Sequence, residues 1–227
     1  MRYKMAAFLV VVAVGATPIA QDGPPRIEPQ DAATFRGKVV TACGRVDGVT
    51  CNKGASTLLT LAAFSDKHVT IVAPDSLRSA STIPPEQRFD MQRVCATGLV
   101  SRGSTGEEIR VDDLSRIWVE ENITPPFATH AHWACEDGIT MPILLREVKP
   151  PYTVEAMKRR VEGRVGMQAV VEADGRVGAV RITRSLDTEL DMQAMTAMKG
   201  WQFRPARFDG QPAAVVVVVD MTFTMRK

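Results

Sequence analysis

The sequence predicts an α+β chain in two parts, an all-β front unit followed by a module running helix, strand, strand, helix, strand. Two observations carry this. Over residues 31–121, short β-branched and apolar runs are broken by Gly, Asn, Asp and Pro, the pattern of successive short strands. Over residues 145–227 the period changes: two alternating segments meet at an Asp-Gly turn, a helical amphipathic stretch follows, and a long β-branched run closes the module. The 227 residues are 45% hydrophobic and 24% charged, which excludes a disordered or collagen-like chain and leaves enough apolar residues for two small cores.

The chain opens on MRYK and an apolar run over residues 5–16, then Thr17, Pro18 and a polar stretch. This is the layout of a secretory signal peptide. Even extended to Ala20, the run is shorter than the roughly 20 residues a membrane span requires. Val14 and Ala16 place cleavage after Ala16, with cleavage after Ala20 as the alternative; residues 1–20 are therefore assigned as the signal, and the mature protein as periplasmic. The competing reading is an inner-membrane anchor, which Gly15 and Pro18 weaken by breaking the helix. Export makes Cys43, Cys51, Cys95 and Cys135 readable as a disulfide set with three full connectivities. Cys43 and Cys95, each on an apolar run, also fit buried thiols.

In the front unit, strands are expected over 37–46 (GKVVTACGRV), 57–62, 68–73, 93–100 (RVCATGLV) and 108–111, with Pro84 and Pro85 opening a helical turn between the third and fourth. Five strands with a helix at that place is the layout of an OB barrel. The segments DAATFRGKVVTACGRV and MQRVCATGLVSRGSTGEEIRVDDLSRIWV resemble small bacterial OB-fold domains in which a "GK-V-V-CG-V" strand pairs with a later "VC-TG" strand, and Gly44 and Gly98 suit barrel corners. The resemblance implies that the first and fourth strands are neighbours and that Cys43 and Cys95 are bonded; Cys43 to Cys51, across a hairpin, is the competing pair.

Many OB folds bind oligonucleotides on an aromatic, basic face. Here Phe35, Phe64, Phe89 and Trp118 are scattered, and residues 21–144 carry 12 basic against 16 acidic side chains, the wrong sign for releasing counterions from phosphates. No nucleic acid is expected as a partner. Residues 122–144, with Pro125, Pro126 and Pro142, read as a linker or a packed irregular connection. Within it, HAHWAC brings together His130, His132 and Cys135, but a structural zinc site needs four ligands, so no metal is expected and Cys135 is assigned to a disulfide.

The C-terminal module carries the densest signal. KPPYTVEAMKRRVEG leads into RVGMQAVVEADGRVGAVRITRSLD, two strands joined at Asp174 and Gly175. In LDMQAMTAMKGWQF, Leu190, Ala194, Met198 and Trp201 recur at helical spacing and end near Gly200. Residues 213–224 form a final strand. Pro151 and Tyr152, Glu162 and Gly163, Val165, Asp174 with Gly175 and Val177, Leu190 with Asp191 and Ala194, the WxFxPA run of Trp201, Phe203, Pro205 and Ala206, then Gly210, Pro212 and Phe223, form an ordered series. In that series residues 145–227 closely resemble the C-terminal domain of TonB-type energy transducers.

The resemblance implies a domain that captures an extended segment of an outer-membrane TonB-dependent receptor by strand addition, main chain to main chain. The residues it points to are Tyr152 and, on the last strand, Val215, Val217, Val219, Met221 and Phe223. Trp201, Phe203, Pro205 and Gly175 are read as structural, with the aromatics in the core. No enzyme is expected, because three His and no acid, base and nucleophile set are present; no cofactor is expected either. Edge pairing of two copies into a homodimer is the second mode of association, and an envelope adaptor binding other proteins is the alternative function. Departures from a full transducer are an OB-like unit where that family has a Pro-rich spacer, no membrane anchor, and Thr153 after Tyr152 where proline is usual.

Overall fold

The computed structural model describes residues 23–52, 56–62, 67–79, 83–104, 106–121 and 127–225. The expected signal peptide, residues 1–20, lies outside them. Strands of the front unit form where the sequence is β-branched. They are β1 (Arg26–Ile27), β2 (Val39–Asn52), β3 (Ser56–Ala62), β4 (His68–Pro74), β5 (Arg93–Arg102), β6 (Glu107–Arg110) and β7 (Ile117–Glu121). Two short helices, α1 (Asp75–Ser79) and α2 (Pro85–Phe89), lie between β4 and β5.

β2 outruns the expected 37–46 because it has two partners in turn. Its first half pairs antiparallel with β5, from Val39↔Leu99 to Arg45↔Arg93. Its second half pairs with β3, and the register shifts between Val46 and Gly48 where the partner changes. Since β3 pairs with β4, β4 runs parallel to β6, and β6 pairs with β5, the hydrogen-bonded order returns to β2. Val40, Ala42, Leu59, Leu61, Ile71, Val94, Ile109 and Ile117 fill the space inside, and Phe89 of α2 plugs it. Gly98 is required by close approach: a Cβ there would lie 2.7 Å from Ile109 Cγ2 and 2.8 Å from the Arg110 carbonyl oxygen. Cys43 and Cys95 stand opposite each other on β2 and β5 and are bonded. Glu86 of α2 is buried against Arg78 at 2.6 Å, and burial raises its pKa above the ordinary carboxylate range.

Downstream come β8 (Ile139–Thr140), β9 (Ile143–Arg146), α3 (Val154–Lys158), β10 (Gly163–Val171), β11 (Val177–Arg184), α4 (Thr188–Lys199), β12 (Gln202–Arg204), β13 (Ala206–Phe208), β14 (Gln211–Ala213) and β15 (Val215–Phe223). Thr153 caps α3 by accepting from the Ala156 N–H, and the left-handed Arg160 (φ 53) ends that segment early. Asp187 caps α4, accepting from Glu189 and Leu190 N–H groups, while Arg159 pairs with the same carboxylate and holds it below the usual range. The main sheet is three-stranded, in the order β11-β10-β15. α4 buries Leu190, Ala194, Ala197 and Met198 against one face of it. No described helix is long and apolar enough to cross a membrane.

The opposite face of that sheet is covered too, by residues of the segment read as a linker or a packed connection. Ala131 and Trp133 bury Val170 and Val216, and Cys135 is bonded to Cys51 at the end of β2. Residues from 127 onward are thus packed, because their apolar side chains find a sheet face that would otherwise meet water. Beside them a polar group joins the two halves. Gln168 Nε2 donates to Asp90 Oδ1 at 2.8 Å, Arg181 Nε donates to Gln168 Oε1 at 2.8 Å, and the Arg181 guanidinium pairs with Asp90 and lies over the Phe127 ring. Arg45 donates to the Thr183 carbonyl. Burial pushes the Asp90 carboxyl up, with Arg181 opposing it.

Candidate partner-binding edge

β15 is a run of valines followed by Asp-Met-Thr-Phe, a sequence that favours extended backbone through its β-branched side chains. On one side it pairs with β10 in unbroken antiparallel register, from Val215↔Val171 to Phe223↔Gly163. Its other side is an edge. There the Val216 N–H donates to the His132 carbonyl and the His132 N–H donates to the Ala214 carbonyl, each at 2.9 Å. In an antiparallel strand both main-chain groups of a residue point the same way and alternate along the chain. Val218, Asp220 and Thr222 therefore direct N–H and C=O outward like Val216, and among the described residues none of these groups takes a main-chain partner.

The same alternation sets where the expected contact residues point. Val215, Val217, Met221 and Phe223 point toward α4 and are buried in the core, and Val219 packs against it half-buried. They hold β15 in place while the exposed Val218, Asp220 and Thr222 present the edge. Tyr152 is half-buried; its hydroxyl donates to the Val161 carbonyl and its ring meets Phe223 edge-on at 5.6 Å. Partial burial, with Glu162 nearby, raises its phenol above the ordinary value, so it remains a neutral donor. With Glu147, Lys149, Trp201 and Thr222, Tyr152 lines a cleft of about 350 Å³ at the C-terminal end of the edge.

The four residues read as structural are brought together. Trp201 Nε1 donates to the Val148 carbonyl at 2.9 Å and its ring lies 6.1 Å from Phe203, so it ties the segment before α3 to the module; it is half-buried rather than deep in the core. The Phe203 N–H donates to the Gly175 carbonyl at 2.8 Å. Gly175 has φ +83, and a Cβ there would lie 2.0 Å from the Phe203 oxygen and 3.5 Å from Pro205 Cδ. The hairpin turn is thereby locked onto the chain leaving α4.

HAHWAC forms no metal centre in this arrangement. Cys135 is consumed by its disulfide, His132 Nδ1 lies 2.6 Å from Glu136 Oε2, and His130 lies 3.6 Å from Glu172. Cys43, Cys95 and Glu120 cluster closely enough to suit a metal, but the two sulfurs are bonded to each other and Glu120 pairs with Arg26 and Arg93. Sequence reasoning missed His132 as a partner of the edge and the Asp90, Gln168 and Arg181 group. For β15 a usable signal existed: Asp220 and Thr222 are the polar phase of the strand and mark the side away from the core.

With this geometry in view, comparison with known proteins is decisive for the last third of the chain. Residues 148–225 match the family model for the Gram-negative bacterial TonB protein C-terminal. This segment is a TonB-family C-terminal domain. Protein TonB of Xanthomonas campestris pv. campestris is 32% identical over 106 residues, covering 45% of this chain and 48% of the relative. Protein TonB of Vibrio cholerae serotype O1 is 34% identical over 101 residues, covering 40% and 41%. The chain thus spans about half the length of the curated relatives it matches. The solution structure of the Pseudomonas aeruginosa TonB CTD is 27% identical and covers 44% of this chain and 98% of that one, with a TM-score of 0.34. The TonB family is not enzymatic, and no catalytic role is assigned to the TonB-type domain.

Proposed function

We propose that this is an exported, periplasmic protein whose TonB-type domain captures an extended segment of an outer-membrane receptor by adding it as a strand to β15, in support of energy-dependent transport across the outer membrane. The observation that carries the reading is the outward, unpaired main chain of Val218, Asp220 and Thr222 on a strand of a TonB-family domain. Native edges are usually blunted by charge, proline or a bulge. Here Asp220 is paired with Arg184 at 3.2 Å and the register is unbroken, so the edge is left usable. Two disulfides agree with an oxidising compartment. The reading of the front unit as an OB-type barrel is supported by the return of the pairing to β2, the parallel β4 and β6, and the helices between β4 and β5.

The test is titration of the full chain with extended receptor-derived peptides, following backbone amide shifts. Shifts at Val218, Asp220 and Thr222 are expected. Val218→Pro deletes an outward donor without breaking the ladder to β10 and is expected to abolish binding. Binding that moves amides elsewhere and survives Val218→Pro would exclude strand capture. A second copy offering its own β15 is the competing occupant, and concentration-dependent sedimentation would report it.

A further inference from the structure

We propose that the open stretch of β15 and an apolar cavity at its N-terminal end form one groove, in which the front unit supplies a pocket that selects an uncharged, bulky residue at the end of the captured segment. This rests on the strand-capture reading and adds a specificity site that the TonB-type domain does not contain by itself. The cavity measures about 240 Å³. Its walls come from three parts of the chain: Val49 and Cys51 near the end of β2, Trp133 and Cys135 of the connector with Met141 beyond them, and Val218 of β15. The Cys51–Cys135 disulfide holds two of these walls together.

Position gives the cavity its role. The connector bridges β15 only at His132, opposite Val215, and among the described residues it makes no further pairing along the edge. A segment laid on the outward groups of Val218, Asp220 and Thr222 must end against the connector, where the cavity opens. Cross-strand neighbours share a face, so the residue set beside Val218 directs its side chain to the side on which Val218 lies. No charged residue lines the cavity, and burying an unpaired charge there is strongly unfavourable. A cavity of about 150 Å³ already accommodates a benzene ring, so this one takes a Leu, Met or Phe side chain. Val218 and Met141 are 55% and 48% exposed at its mouth, apolar surface that an occupant would cover. The partner is therefore an extended protein segment with a large uncharged residue at the end that abuts the connector.

The experiment measures binding of labelled, end-blocked peptides of alternating Val and Thr to the full chain by fluorescence anisotropy, with Leu, Ala or Asp as guest at each end. At one end, Leu is expected to bind about ten- to a hundredfold more tightly than Ala, and Asp more weakly than Ala. Met141→Lys, at an exposed wall position, is expected to erase the Leu preference and leave the Ala peptide unchanged. Equal affinities for the three guests, or a preference that survives Met141→Lys, would overturn the pocket. Strand capture would then still stand if N-methylation of alternate peptide amides abolishes binding. If N-methylation has no effect, or no peptide binds, strand capture itself fails and the composite groove falls with it.

Discussion

Replacing Gly175 by Ala should be much costlier than the same change at Gly210, although both glycines have φ +83. At Gly210 nothing lies within 4 Å of the added Cβ. The cost there is the left-handed backbone alone, about 1 kcal/mol. At Gly175 the same strain applies, and the Cβ would lie 2.0 Å from the Phe203 carbonyl oxygen, so the chain leaving α4 must move. That movement breaks the Phe203 N–H bond to Gly175, worth about 1 kcal/mol. It also lifts Phe203, a buried ring, partly out of its packing, against about 3 to 5 kcal/mol for complete truncation of such a side chain. The expected totals are about 3 kcal/mol for Gly175→Ala and about 1 kcal/mol for Gly210→Ala. Urea unfolding of both variants of the full chain, followed by tryptophan fluorescence, reads the difference directly, because Trp201 sits beside the affected contact. Equal costs for the two substitutions would refute the argument that turn and exit strand are locked together, leaving only the turn's dihedral requirement.

Three further outcomes follow from the junction, the helix cap and the cysteines. Asp90→Ala strands the largely buried Arg181 and should destabilise by about 3 kcal/mol, whereas Asp90→Ala with Arg181→Met should recover most of it; equal melting of the single and double variants would deny the coupling. Asp187 has a depressed pKa, so its contribution is present above the unfolded carboxyl's value of 3.8 and is lost as pH falls through the lower folded value. Melting temperatures should therefore separate wild type from Asp187→Ala at pH 7 and converge once the pH has fallen through that lower folded value, and a gap that persists in strong acid would contradict the assignment. Non-reducing peptide maps should show Cys43 joined to Cys95 and Cys51 to Cys135, with any Cys43 to Cys51 peptide counting against the fold.

The elements that could be read from the chain were those whose signal is local. The strand runs at 57–62, 68–73 and 93–100 lie within β3, β4 and β5, and the Asp-Gly turn and the helix before Gly200 were visible because their side-chain period or turn chemistry lies within a few neighbouring residues. The extension of β2 to Asn52 was not, since it depends on a change of partner midway. The end of α3 at Lys158 was not legible either, because Arg160 adopts a left-handed conformation that no propensity demanded.

The sequence by itself determined the longer strands and the helix before Gly200, and that the last third is a TonB-type module, because these follow from period, turn residues and an ordered set of motifs. It also held the phase of β15, in Asp220 and Thr222, although the valines before them hide it. Only the tertiary structure decided what the edge offers. Val215, Val217, Met221 and Phe223 turn inward because α4 supplies their core, and the outward main chain is open only beyond Val216 because His132 occupies what precedes it. The connector lies there because Trp133 buries Val170 and Val216, and because Cys135 is bonded to Cys51. Those contacts join residues far apart in the chain, and no local pattern encodes a surface that exists only once two cores have been packed together.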